Sequence, residues 1–261
     1  MHESNKYLDV FTQCATDAKL GIQTRRSSFS EKEFHFQNWF IDRLVTCRLH
    51  FETGGRNKYP DFSLVQSPEG FELKGLAFPG RTKGFDCNSQ MPFGQHNGRD
   101  IYYVFGRYPG KTKELELPVI DLIICHGSFL NSDDNYIHEN KHVEFFGSYG
   151  DIMIRDRKMY VAPTPFALTT GTISQRTLII PASFEVDDRF VEVGQLIRTE
   201  SAEVVTAYHF NLQTNAITST TIPNPRAGIQ HEFKAYRLKD DNPGVKVSMS
   251  KKPVVLDEED E

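Results

Sequence analysis

Tyr59-Pro60-Asp61-Phe62-Ser63-Leu64-Val65-Gln66-Ser67-Pro68-Glu69-Gly70-Phe71-Glu72-Leu73-Lys74-Gly75-Leu76 holds two short strand-like runs on either side of a turn. Residues 61–66 and 71–78 are the strand-like runs, and Ser67-Pro68-Glu69-Gly70 between them has the composition of a hairpin turn. Side chains in a strand alternate faces, so Glu72 and Lys74 point one way while Leu73 points into the core. A hairpin also lays the start of its first strand beside the end of its second. Asp61, Glu72 and Lys74 therefore converge on one patch, although 13 residues separate the first from the last.

Two carboxylates a few Å apart repel, and a hard divalent cation is the natural guest between them. Mg²⁺ accepts one or two carboxylates and completes its octahedron with waters and phosphate oxygens, lowering the pKa of a bound water and polarising a phosphoryl oxygen. Lys74, on the same face, orients or deprotonates the attacking water or stabilises charge on phosphorus. The plainer alternative makes Asp61 a turn residue after proline, with Glu72 and Lys74 on the exposed face of an edge hairpin.

Upstream of the hairpin, Ser30 and Glu33 form an S-x-x-E capping box, with Phe29 and Phe34 at the staple positions. Phe36, Trp39, Phe40 and Leu44 then recur at helical spacing, which predicts a helix over 31–46 with one buried face. A weaker amphipathic stretch covers 7–20. Downstream, 101–105 and 119–125 are short apolar runs of the kind found in strands buried on both faces. From about residue 143 the chain reads as β, with candidate strands at 152–155, 158–162, 177–180, 190–197, 204–211, 216–222 and 231–237. No linker-like composition interrupts it, so a single domain over 1–256 is expected, followed by the acidic tail 257–261.

Pro60-Asp61, ten residues, then Glu72-Leu73-Lys74 resembles the PD-(D/E)XK nuclease signature, and its context resembles a type II restriction endonuclease. The resemblance spans about residues 30–126, with a helix before the motif and two hydrophobic strands after it. It implies an α/β fold in which a mixed central sheet is flanked by helices, a restriction-endonuclease-like core carrying a β-rich part at about 143–250. It implies Asp61 and Glu72 as metal ligands, Lys74 as the catalytic lysine, and Mg²⁺ as cofactor. It further implies sequence-specific hydrolysis of double-stranded DNA by a homodimer, with a cognate DNA methyltransferase as companion. Alternatives are a nuclease of the same superfamily acting in repair or junction resolution, and a non-catalytic DNA-binding protein.

Charge permits a nucleic-acid partner. The net charge is −5, but the last five residues are all acidic, and without them the balance is zero. From Lys19 to Lys113, 15 Lys and Arg stand against 9 Asp and Glu, a local excess of +6. The polar, basic stretch after the Glu-x-Lys strand supplies candidate DNA contacts in Arg81, Lys83, Asn88, Gln90, Asn97 and Arg99. These residue types suit base edges and phosphates alike. The alternative for this stretch is a surface loop with scattered charges.

Other candidates are weaker. Glu52, before Gly54-Gly55, is a possible additional carboxylate, and Glu33 is accounted for by the capping box. Gln37 shares a helical side with Phe40 and Leu44, either reaching the site from beneath or serving as a buried amide. His138-Glu139-Asn140-Lys141-His142 matches H-E-x-x-H, but its flanks lack the apolar stripe of a zinc-binding helix. With 38% hydrophobic and 25% charged residues, wholesale disorder is excluded. No apolar run approaches the ~20 residues of a membrane span, and the start lacks a signal peptide's pattern. Cys14, Cys47, Cys87 and Cys125 show no paired metal-ligand spacing. A cytoplasmic, reduced protein without membrane attachment is expected.

Overall fold

Residues 101–108 are buried without interruption, as happens only to a strand covered on both faces. This strand lies inside a nine-stranded mixed sheet. The computed structural model describes residues 5–28, 34–54, 59–78, 85–88, 92–110, 112–132, 153–155, 159–168, 175–242 and 244–249. The sheet strands are β1 (Phe51–Thr53), β2 (Phe62–Leu64), β3 (Glu69–Phe78), β4 (Gln95–His96), β5 (Arg99–Pro109), β6 (Asp121–His126), β7 (Arg176–Pro181), β8 (Phe190–Thr199) and β9 (Gln230–Leu238). Their spatial order is β8-β9-β7-β6-β5-β3-β2-β1, with β4 paired to the start of β5. The β3/β5 and β6/β7 pairs are parallel, and the remaining pairs are antiparallel. The architecture is mixed α/β, strand-rich, with few helices.

Helix α1 (Lys6–Lys19) buries Tyr7, Leu8, Val10, Phe11, Cys14, Ala15 and Ala18, the stripe expected of 7–20. It stops at Gly21, whose φ of +73° allows the Ile22 and Gly21 amides to bond back to Asp17 and Ala18. Helix α2 (Phe34–Thr46) buries Phe36, Trp39, Phe40 and Leu44, as the periodicity predicts. The capping box at Ser30 and Glu33 lies outside the described residues. An ion pair of 3.0 Å from Arg43 to Asp17 ties the two helices together.

Both helices pack on one face of the sheet, among Phe62, Phe71, Tyr102, Val104, Leu122 and Ile124. Tyr7 stacks on Tyr102 at 4.6 Å, and Phe40 contacts Phe62 and Phe71 at 5.6 and 5.4 Å. Phe36 lies so close over Gly106 that a Cβ there would sit 2.3 Å from its ring. The other face carries Ile101, Tyr103, Phe105, Ile123, Cys125 and Ile179, covered by Phe129, Leu130, Phe166 and Leu168. Among the described residues the two α-helices flank one side only, and the other side carries two short 3-10 turns, Gly127–Phe129 and Pro165–Ala167.

The β-rich C-terminal reading holds. Besides β7–β9, strands Met153–Arg155 and Met159–Pro163 form a small sheet with Phe85–Asn88. Glu203–Asn211 and Ala216–Pro223 form a separate hairpin. Cys14, Cys47 and Cys125 carry free thiols. No helix among the described residues is long and apolar enough to cross a membrane.

Glu69, at the start of β3, is 6% exposed on the helix face. Asn5, the residue before α1, makes no side-chain cap; the backbone amides of Lys6 and Tyr7 face the Glu69 carboxylate instead, with the Ser67 hydroxyl 3.3 Å away. Burial outweighs these donors and raises the Glu69 pKa from 4.5 to about 7, with Asp100 adding repulsion. Stability from this group is then fully present below pH 4.5 and is lost as pH rises through about 7. Glu69→Gln keeps an acceptor but cannot ionise. Urea unfolding from pH 5 to 8 should show wild type losing stability relative to the variant, by up to roughly 3 kcal/mol. Parallel pH profiles would refute this account of Glu69.

Candidate active site

Strand register sets the site's composition. Phe71 pairs with Tyr102 across β3/β5, and both belong to the helix-side core; the next pair, Glu72 and Tyr103, faces the opposite side, as do Lys74 and Phe105. Across β2/β3, Phe62 pairs with Phe71, so Asp61, one residue earlier, falls on the face of Glu72. The three side chains meet there. The Asp61 amide donates to Glu72 Oε2 at 3.2 Å, the Leu73 amide donates to Asp61 Oδ2 at 2.8 Å, and Lys74 Nζ donates to Glu72 Oε1 at 2.9 Å. Leu73 packs against the helix-side core, as the alternation requires.

This geometry removes the exposed-hairpin alternative. Glu72 is 6% exposed, and the Lys74 side chain retains 15%. Burial raises the Glu72 pKa; Lys74 opposes the shift and Asp61 adds to it. Burial likewise raises the Asp61 pKa, against the Leu73 amide and Lys74. Two desolvated acids thus share one ammonium, and a further positive charge would favour ionising both. The donor set is hard oxygen, which suits Mg²⁺. Asp61 and Glu72 would hold the ion. No group of three or more His, Cys, Asp and Glu that could hold a metal occurs among the described residues.

The hairpin differs from its sequence reading in one respect. β3 begins at Glu69, so the turn is 65–68 and Gly70 is a strand residue. Gly70 is needed there because a Cβ would meet Pro60 Cγ at 2.6 Å and Ile101 Cδ1 at 3.0 Å. Pro60 lies on that bare backbone and brings Asp61 against β3.

The remaining candidates separate. Glu52 pairs with Ser63 on β1, on the Asp61 side of the sheet, but is exposed. Gln37 sits on α2, which packs on the opposite face, so it does not reach the site from beneath. Asn97 and Gly98 have φ of +50° and +73° and form the tight turn between β4 and β5, where asparagine and glycine are favoured. Arg99 Nη1 donates to the Leu64 and Ser67 carbonyls at 2.7 and 3.1 Å, clamping the β2–β3 turn. Arg81, Lys83, Gln90 and the 138–142 motif lie outside the described residues, as does the side chain of Asn88, whose backbone pairs with Tyr160.

Two features escape sequence reading. The Tyr59 and Tyr103 hydroxyls are 2.9 Å apart beside Glu72, a pairing 44 residues apart in the chain. One row beyond Lys74, Arg107 and Asp121 form a fully buried bidentate ion pair, with the guanidinium 4.0 Å from the Phe166 ring centroid. The only local hints are a tyrosine just before Pro60-Asp61 and charged residues in otherwise apolar strands.

Because burial raises the Asp61 pKa, its ionised form costs stability above the ordinary carboxylate range. Asp61→Asn keeps an acceptor for the Leu73 amide and removes the charge. At pH 8 without divalent cations the variant should melt at or above wild type. Millimolar Mg²⁺ should then raise the wild-type melting point, by about 2–4 °C per kcal/mol of binding, and leave the variant unmoved. Equal Mg²⁺ shifts in both proteins would remove Asp61 from the ligand set.

No family model, curated protein or solved structure matches the chain, so its functional reading stands on the geometry of these side chains.

Proposed function

We propose that the chain is a Mg²⁺-dependent endonuclease that hydrolyses phosphodiester bonds of double-stranded DNA at a specific sequence. The carrying observation is the meeting of Asp61, Glu72 and Lys74 on one face of the sheet, joined by three hydrogen bonds through the hairpin register. The surrounding order supports a restriction-endonuclease-like core: a helix, the β2–β3 hairpin, and then β5 parallel to β3. A homodimer on a palindromic site, a companion methyltransferase and a cytoplasmic location complete the proposal.

Asp61 and Glu72 would hold the ion and set its place relative to the scissile phosphate. Mg²⁺, when bound, supplies Lewis-acid polarisation of a phosphoryl oxygen and acidifies water. Lys74 lies 2.9 Å from Glu72, which holds its ammonium beside the acidic pair. There it orients the attacking water by donating a hydrogen bond to it, and it offsets negative charge gathering on phosphorus. The hydrogen bond from the Leu73 amide keeps Asp61 turned toward β3, so the carboxylates are placed before substrate arrives.

The segment between β3 and β4 leaves the site at Phe78 and returns beside it at 92–96. Its residues Arg81, Lys83, Asn88 and Gln90, together with Asn97 and Arg99 at the turn between β4 and β5, are the proposed DNA contacts. Plasmid and phage DNA incubated with Mg²⁺ should give discrete, reproducible fragments, and EDTA should abolish them. Asp61→Ala or Lys74→Ala should lower cleavage by orders of magnitude while circular dichroism shows an unchanged fold. Near-wild-type cutting by Asp61→Ala would refute the site. Binding without Mg²⁺-dependent cleavage would favour a non-catalytic DNA-binding protein.

A further inference from the structure

Tyr59 is tied to three parts of the molecule. Its hydroxyl lies 2.9 Å from the Tyr103 hydroxyl on β5, and Tyr103 is the register partner of Glu72. Its ring meets His96 of β4 edge-on, 5.0 Å between centroids and 81° between planes. The Phe93 backbone amide faces its oxygen. The next residue, Pro60, rests on the bare backbone of Gly70 in β3. Phe93 is itself fixed, since a Cβ on Gly127 would sit 1.7 Å from its carbonyl oxygen. Gly94 accepts from the Ile101 amide at 2.9 Å.

We infer that Tyr59 is a positioning residue that sets the spacing between the Asp61 and Glu72 carboxylates, an assignment that rests on the nuclease reading above. Two residues after Tyr59, Asp61 exchanges hydrogen bonds with β3, giving its amide to Glu72 and accepting the Leu73 amide. Those bonds fix Asp61 relative to β3 only if the chain leading into Asp61 is held. Tyr59 holds it, pinned to β5 by its hydroxyl and to 93–96 by its ring. The segment returning from the proposed DNA-contact loop rests on the same tyrosine, so the loop's end and the acidic pair share one anchor.

Tyr59→Phe removes the hydroxyl and keeps the ring; Tyr103→Phe removes the same bond from the β5 side and serves if the first variant misfolds. Mn²⁺ binding to the DNA-free protein, followed by electron paramagnetic resonance, reads the carboxylate spacing without requiring cleavage. Metal affinity should fall about tenfold or more, as is usual when a residue that orients a ligand is removed. With Mg²⁺ and plasmid, kcat should fall with KM for DNA unchanged, and the melting point should stay near that of wild type. Wild-type Mn²⁺ affinity together with wild-type kcat in both variants would overturn the positioning role while leaving the nuclease reading intact. A wild-type protein that neither binds Mn²⁺ nor cuts DNA would overturn both.

Discussion

The exchange of backbone amides and carboxylates between the two strands of one hairpin governs the site. The β2/β3 ladder includes Phe62 opposite Phe71. Beyond that pair, where further ladder bonds would lie, the side chains take over: the Asp61 amide bonds to Glu72 and the Leu73 amide to Asp61. Each carboxylate thereby satisfies a backbone donor of the other strand, and the acidic pair forms part of the sheet's own hydrogen bonding. The same bonds hold two like charges together away from solvent. Lys74 offsets one of them, and on the proposed reading a bound cation would offset the other.

The two faces of the sheet then divide the work. Helices α1 and α2 and the aromatic side chains beneath them occupy one face and supply most of the large apolar core. The opposite face carries, on neighbouring strands, Asp61, Glu72, Lys74 and the Arg107–Asp121 pair. Along β3, Glu72 is buried, Leu73 and Lys74 are half-buried, Gly75 is exposed on the helix face, and Leu76 is buried again. Glu72 is dry enough for electrostatic interactions to be strong.

Strand alternation makes the convergence of Asp61, Glu72 and Lys74 legible in the sequence, because a hairpin's register follows from local pattern and turn chemistry. The strands from Met153 onward and the stripe of α1 are legible for the same reason. Contacts between distant residues are not. Tyr59 meets Tyr103 across 44 positions, and Glu69 caps α1 from a strand on the far side of α2; no period links such pairs. Gly70 reads as a turn residue, since glycine after proline ordinarily is one, and only the packing of Pro60 against it explains a strand glycine there. Asn97 and Arg99 illustrate a different difficulty. Side chains suited to DNA are equally suited to positive-φ turns and to backbone carbonyls, and composition does not distinguish these uses.

Glu69 and Glu72, three residues apart on β3, are two buried acids with different surroundings. Both are 6% exposed, and burial raises the pKa of each. Odd numbering within β3 turns Glu69 to the helix face, where its partners are a serine hydroxyl and the first amides of α1. Those donors complete a helix end. Even numbering turns Glu72 to the other face, where its partners are an ammonium and the segment bearing a second carboxylate. Burial and a shifted pKa are therefore common to both; the difference lies in the charges gathered around each. Glu69 meets the fixed donors of a helix end, which burial outweighs, whereas Glu72 meets an ammonium and the segment of a second acid, and the proposed function rests on that second arrangement.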